Sequence, residues 1–150
     1  MTIKRRLILD ALQTQLQAID GTGSYTHNIE NVFRHVETWN EVEGHARPAI
    51  CIVPRESVPV YHPCSEVRIN FRIDLLGYVD AATDSEDARI NALNDLIDDI
   101  WIALRADPTL NGNAITINVL EERTDEADEN GQEAVKVSLM AVYFRTLGAS

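Results

Sequence analysis

The chain has 150 residues, 45% of them hydrophobic, with 13 Lys plus Arg set against 24 Asp plus Glu for a formal net charge of −11. That length makes a single domain over 1–150, able to bury about two-thirds of its unfolded surface. Its longest apolar runs, such as Ala49-Ile50-Cys51-Ile52-Val53, fall far short of the roughly 20 residues of a membrane helix. The acidic balance disfavours general nucleic-acid binding, which rests on basic side chains displacing counterions from phosphates. The start Met1-Thr2-Ile3-Lys4-Arg5-Arg6 lacks the apolar stretch of a secretory signal, so no export is expected. Cys51 and Cys64 fit a reduced, cytosolic setting better than a disulfide framework.

Ile3, Leu7, Ile8, Ala11, Leu12, Leu16 and Ile19 recur at helical spacing, which predicts an amphipathic helix over 3–19 ended by Asp20-Gly21. Lys4, Arg5 and Arg6 stand in its first turn, where the helix dipole favours negative groups. They read either as a solvated helix start or as a basic cluster facing an acidic partner. Residues 22–46 are open to both helix and strand, leaning to strand. Ala49 to Val53, between Pro48 and Pro54, reads as a strand buried on both faces with Cys51 as a small core residue, and 55–64, with Pro59 and Pro63, as loop.

Glu66 to Val79 is the clearest strand. Val67, Ile69, Phe71, Ile73 and Leu75 share one face and Glu66, Arg68, Asn70, Arg72 and Asp74 the other. At about 3.3 Å per residue it extends roughly 45 Å, so part of it should outrun the core. It either bends at a bulge, for which Gly77 is the natural place, or projects as a hairpin arm. Thr83-Asp84-Ser85-Glu86 starts a second helix with Ile90, Leu93, Ile97, Ile100, Trp101 and Leu104 on one stripe, and Asp107-Pro108 stops it. Asn111-Gly112 turns into a strand at Ile115 to Val119. The last strand holds Val135, Val137, Leu139, Ala141 and Tyr143, after a charged connection 121–133 with Asn130-Gly131 as its turn. The order implies an α+β domain, a mainly antiparallel β-sheet with two α-helices packed on it and a long protruding strand or hairpin. Phe71, Ile73, Ile97 and Trp101 are expected core positions.

The negative charge is localised. Helix 84–107 carries a net −5 and the connection 121–133 a net −6, so the rest of the chain is neutral. Both segments read as solvated surface or, for the connection, as a face for a basic partner or a DNA-repelling channel wall. No glycine-rich phosphate loop occurs and the four histidines form no metal-binding pattern. His62-Pro63-Cys64 reads as an ordinary loop, and Asp95, Asp98 and Asp99 as a solvent-facing helix surface rather than a cation site. Nothing in the residues supports catalysis, and no catalytic residue, metal or cofactor is expected.

Several strings resemble the tail terminator proteins of tailed bacteriophages: the helix of Ile3 to Ile19, the strand Arg47-Pro48-Ala49-Ile50-Cys51-Ile52-Val53 followed by Glu56, and the long strand ending Leu75-Leu76-Gly77-Tyr78-Val79. To these belong the second helix running into Leu104-Arg105-Ala106-Asp107-Pro108-Thr109-Leu110-Asn111-Gly112, and a last strand ending Val142-Tyr143-Phe144-Arg145. The resemblance spans nearly the whole chain and implies a structural virion protein, assembled in the host cytoplasm and located at the tail and neck. In that family a homo-hexameric ring caps the tail tube, ends its polymerisation and offers a docking face to the head-tail connector or stopper. The implied partners are further copies of the chain, the tail tube protein, the connector or stopper and, where a tail has one, the sheath. DNA passes through the ring without specific binding, and no membrane is involved. Within that picture Glu66, Arg68, Arg72 and Asp74 are expected in intersubunit salt bridges, against plain solvent exposure as the alternative. Glu121, Glu122, Asp125, Glu126, Asp128 and Glu129 are expected on a loop facing the tube or the channel. Lys4, Arg5 and Arg6 would face a protein partner or else the DNA path. A head-tail connector or other neck protein, a small soluble enzyme and a monomeric adaptor are the competing readings.

Overall fold

Apolar side chains recur every second residue along the strands and every third or fourth along the helices, so each element has one face that must leave water. The computed structural model describes residues 4–29, 31–34, 48–61, 66–79, 86–127 and 133–146. In chain order the elements are α1 (Lys4–Gln17), β1 (Asn31–Phe33), β2 (Ala49–Tyr61), β3 (Glu66–Tyr78), α2 (Glu86–Ala106), β4 (Thr116–Ala127) and β5 (Glu133–Thr146). The strands form one sheet in the order β1-β2-β3-β5-β4, antiparallel throughout except for the parallel β1/β2 pair. This is the α+β architecture read from the sequence.

Both helices pack on the same face of the sheet. Ile8, Leu12 and Leu16 of α1 and Leu93, Leu96, Ile97 and Ile100 of α2 share one core with Ile50, Ile52, Phe71, Ile73, Leu75, Val137, Leu139 and Ala141. Gln15 of α1 ties the two helices together. Its Nε2 donates to the Ala103 carbonyl at 2.6 Å and the Asp107 carbonyl at 3.0 Å, satisfying groups that the end of α2 leaves without helical partners. Past α2, Leu110, Asn111 and Gly112 take positive φ of 50°, 60° and 78°. Asp107 braces this turn by accepting from the amides of Thr109 and Asn111. Ala49, Cys51 and Tyr78 build a smaller cluster on the opposite face, so β2 starts buried on both sides, as its unbroken apolar run predicts.

Several expectations are corrected. Residues 55–61 are not loop, because β2 continues to Tyr61 against β3. Its prolines are tolerated because β1 pairs only with Ala49, Ile50 and Cys51. Beyond them no described strand asks the outer edge of β2 for an N–H. The bulge lies in β2, where the register shifts between Pro54 and Ser57, and not at Gly77. Gly77 pairs with Ile50 and Val135, and a Cβ there would stand 2.6 Å from both Leu96 Cδ2 and Val135 Cγ2, so the position serves close packing of α2 on the sheet. The charged stretch after Val119 is strand rather than a bare connection, since β4 reaches Ala127 and pairs there with Glu133. Asp99 is not solvent-facing: it is buried and accepts from the amides of Thr26 and His27 at 2.9 and 2.8 Å.

The long strand β3 is central, bonded to β2 and β5, and stays covered as far as Val67 and Ile69. What outruns the core is its neighbour: Val58 and Tyr61 of β2 are 51% and 70% exposed. Phe71, Ile73 and Ile97 are core residues, whereas Trp101 is half-buried at the rim and donates to Glu122 at 2.6 Å. The segment 22–46 contributes the short strand β1, and residues 30 and 35–46 of it lie outside the described residues. So do His62-Pro63-Cys64, the helix start at Thr83 to Ser85, the Asn130-Gly131 turn, Asp128 and Glu129.

Candidate assembly surfaces

The helices cover one face of the sheet; among the described residues no helix packs on the other, which holds the Ala49, Cys51 and Tyr78 cluster and, beyond it, half-buried side chains such as Arg68, Arg72 and Val142 with Val58 and Phe144 exposed. On this open face run alternate residues of β3 from Glu66 to Asp74, flanked through the register by Val58 and Val60 of β2 and by Met140, Val142 and Phe144 of β5. The structure therefore brings Glu66, Arg68, Arg72 and Asp74 onto one face, as their alternation predicts.

Their roles differ. Asp74 is 1% exposed and does not belong to the solvated surface that its polar neighbours suggest. The bulge in β2 lets Arg55 reach it, with Nε 2.8 Å from Oδ2. Burial is the largest influence on this carboxyl and acts to raise its pKa. The hydrogen bond from Arg55, the nearby Ser138 hydroxyl and the charges of Arg55 and Lys136 together outweigh it and hold the carboxyl below its ordinary value. Arg72 stands 3.5 Å from Glu56 and 3.8 Å from Asp74. Asp74 and Arg72 thus already make ion pairs inside one chain, while Glu66 is exposed at the start of β3. Sequence reasoning missed Arg55, which read as loop; Pro59, one of the two prolines that suggested a loop, belongs to a strand whose outer edge is unpaired there among the described residues.

The acidic residues divide along the outer edge of the sheet, since β4 is terminal in the strand order. Register shifts at Val119/Glu121 and Arg123/Glu126 interrupt its pairing with β5. The first turns Glu122 toward the helices, where it meets Trp101, while Glu121 pairs with Arg123 at 2.9 Å. Asp125 and Glu126 lie in the last turnward part of β4, Glu126 opposite Ala134. Such a charged, irregular edge resists pairing with the sheet of another molecule.

In the basic cluster, Arg5 and Arg6 are exposed and Lys4 is half-buried at the start of α1. The Arg5 guanidinium lies 4.5 Å from the centre of the Phe71 ring, a cation–π contact that fixes where this charge sits. Further along α1, Arg34 after β1 pairs with Asp10. A groove of about 530 Å³ lies between α1 and the turn after α2, lined by Leu7, Ala11, Thr14, Ala106 and Asn111. No three His, Cys, Asp or Glu side chains gather to hold a metal ion among the described residues. No helix among them is long and apolar enough to cross a membrane.

No family model matches the chain, and no curated protein matches it. Among solved structures, a chain from the virion of a native gene transfer agent particle is similar at 12% identity and a TM-score of 0.43, over 89% of this chain and 91% of that one. A similarity of that order supports no inference about function.

Proposed function

We propose that the chain is a structural virion protein of the tail terminator type. It forms a ring that caps the tail tube, stops its growth, offers the opposite surface to the head-tail connector or stopper, and lets DNA pass through the lumen without specific contacts. The observation that carries this reading is the half-covered sheet. Among the described residues one face lacks a helical layer, and it exposes Val58 and Phe144 (51% and 41%) beside Arg68 and Arg72. A sheet face with apolar and paired charged residues is a surface built to be covered by protein. The sequence resemblance in strings from Ile3 to Arg145 names the assembly that would cover it.

In this assembly the polar face of β3 meets the neighbouring subunit. Asp74 holds Arg55 within the chain and Arg72 stands between Glu56 and Asp74, which leaves Glu66 and Arg68 for bridges across the interface. Glu121, Asp125 and Glu126 of β4, Asp128 and Glu129 that follow them in the chain, and Glu122, which Trp101 also holds, make the acidic segment that meets the tube or the lumen. A negative lumen wall keeps DNA from sticking as it passes. Lys4, Arg5 and Arg6 face a partner at the start of α1. The reading is of a non-enzymatic protein that needs no cofactor.

The test is capping. Purified protein is added to tail tubes polymerising from their subunits, and tube lengths are measured by negative-stain electron microscopy. Shortened tubes with density at one end are expected, as is a particle of about 100 kDa, six copies of 16.8 kDa, in light scattering or on the tube. Exchanging Glu121, Glu122, Asp125 and Glu126 for the corresponding amides should weaken capping while the circular dichroism spectrum stays unchanged. Tubes that grow to the same lengths with and without the protein overturn the reading. A protein that binds isolated connectors but not tubes belongs to the neighbouring connector class.

A further inference from the structure

The structure assigns a second charged surface that complements the acidic hairpin. We infer that the pocket between the start of α1 and the far end of the sheet is a carboxylate seat, and that its occupant is the acidic β4 strand of a second copy of this chain. The inference rests on the self-assembly proposed above and adds to the β3 face a second contact between copies.

The pocket has a volume of about 440 Å³ and is lined by Arg5 of α1, Arg145 of β5 and Ser57, Pro59 and Tyr61 of β2, over a floor that includes Ile69. In a chain with nearly twice as many acids as bases, it is lined by two arginines and no carboxylate. Neither Arg5 nor Arg145 has an acidic partner among the described residues. Arg5 is held in place on the Phe71 ring, and the Ser57 hydroxyl is buried without a hydrogen-bond partner. Two guanidinium groups and hydroxyls over an apolar floor suit a carboxylate carried on a peptide strand, because each guanidinium presents paired N–H donors matched to two carboxylate oxygens.

The second copy follows from the run of β5. Arg145 lies opposite Val67 at one end of the sheet, while Glu133 lies opposite Ala127 at the other, in the hairpin of net charge −6. Eleven residues of strand lie between the two positions, a span of about 40 Å at ~3.4 Å per step. A chain therefore cannot fill its own pocket with its own hairpin, and the two surfaces meet only head to tail between copies. Repeated contacts of this kind close into a ring or run on as a filament.

The full-length protein is tested by sedimentation velocity over a concentration series, in about 0.05 and 0.5 M NaCl, with Arg145→Glu and with the double variant Glu121→Arg/Glu126→Arg. Circular dichroism checks that both fold. The wild type should associate, weaken at least tenfold at the higher salt because exposed charges are screened, and lose at least tenfold in association with either variant. Mixing the two variants brings the intact β4 of one to the intact pocket of the other, so association lost in each alone should return, in a species of at least about 34 kDa, two copies of 16.8 kDa. Assemblies that survive Arg145→Glu and salt unchanged overturn the seat and leave the capping role standing. A wild type that stays monomeric at every concentration also overturns it, and tube capping by that monomer would preserve the proposed function. Binding of inorganic phosphate or a short DNA duplex that is lost in Arg145→Glu, with self-association unchanged, assigns the pocket to phosphate instead and refutes the inference.

Discussion

Replacing Gly77 by alanine tests how α2 sits on the sheet. The added Cβ would lie 2.6 Å from Leu96 Cδ2 and from Val135 Cγ2, and Leu96 Cγ would stand at 3.4 Å. Carbon atoms in ordinary contact are ~3.5–4.0 Å apart, so both neighbours must retreat by about 1 Å. Neither has room: Leu96 and Val135 are fully buried, and Val135 is β-branched and opposite Gly77 in the ladder. Overpacking of this kind costs about 1–3 kcal/mol. Alanine also restricts the unfolded chain, which offsets ~0.4–1 kcal/mol, because Gly77 does not hold a positive φ. A net loss of about 1–2 kcal/mol is expected, and at ~2–4 °C per kcal/mol for a domain of this size it lowers Tm by roughly 2–8 °C. Urea denaturation of the full chain followed by tryptophan fluorescence measures the loss directly, with an unchanged slope as the control. Adding Leu96→Ala should then cost less than the sum of the two single changes, because the leucine is what the new methyl strikes. A Gly77→Ala protein as stable as the wild type, or strict additivity in the double variant, would refute the close approach of α2.

Two further outcomes follow from buried aspartates. Asp74 is held below its ordinary value of 3.8 in the folded protein, so its contribution to stability is present above that value and is lost as pH falls through the lower folded one. Asp20 and Asp107 are lowered too, chiefly by the hydroxyls of Thr22 and Thr109, and act in the same direction. Denaturation midpoints between about pH 6 and pH 3 should fall, and less steeply in Asp74→Asn; an identical slope in that variant would remove Asp74 from the explanation. Asp99→Ala leaves the amides of Thr26 and His27 without their acceptor and should cost about 2 kcal/mol, with faster hydrogen exchange at those two amides. Unchanged exchange there would show that the loop does not depend on Asp99.

The periodic parts of the chain were legible because burial and period are written in the same residues. Ile8, Leu12 and Leu16, the alternation from Val67 to Leu75, and the stripe Leu93 to Leu104 each define a face that can go only inward. Candidate surfaces followed in part: alternation alone put Glu66, Arg68, Arg72 and Asp74 together. What sequence could not decide was how each polar residue is used, since that depends on the partner strand. Pro54 and Pro59 signal a break to any local reading, yet they belong to β2 because no described strand needs their outer edge. Asp74 and Asp99 look like their solvated neighbours, and became buried because the β2 bulge brings Arg55 to one and the loop before β1 brings two amides to the other. Gly77 reads as a bend, but its missing side chain is spent on the approach of α2. Local sequence carries the free energy of hiding apolar surface, which acts residue by residue. Pairing of charges, amides and close backbones acts between segments distant in the chain, and only the tertiary structure sets which of them meet.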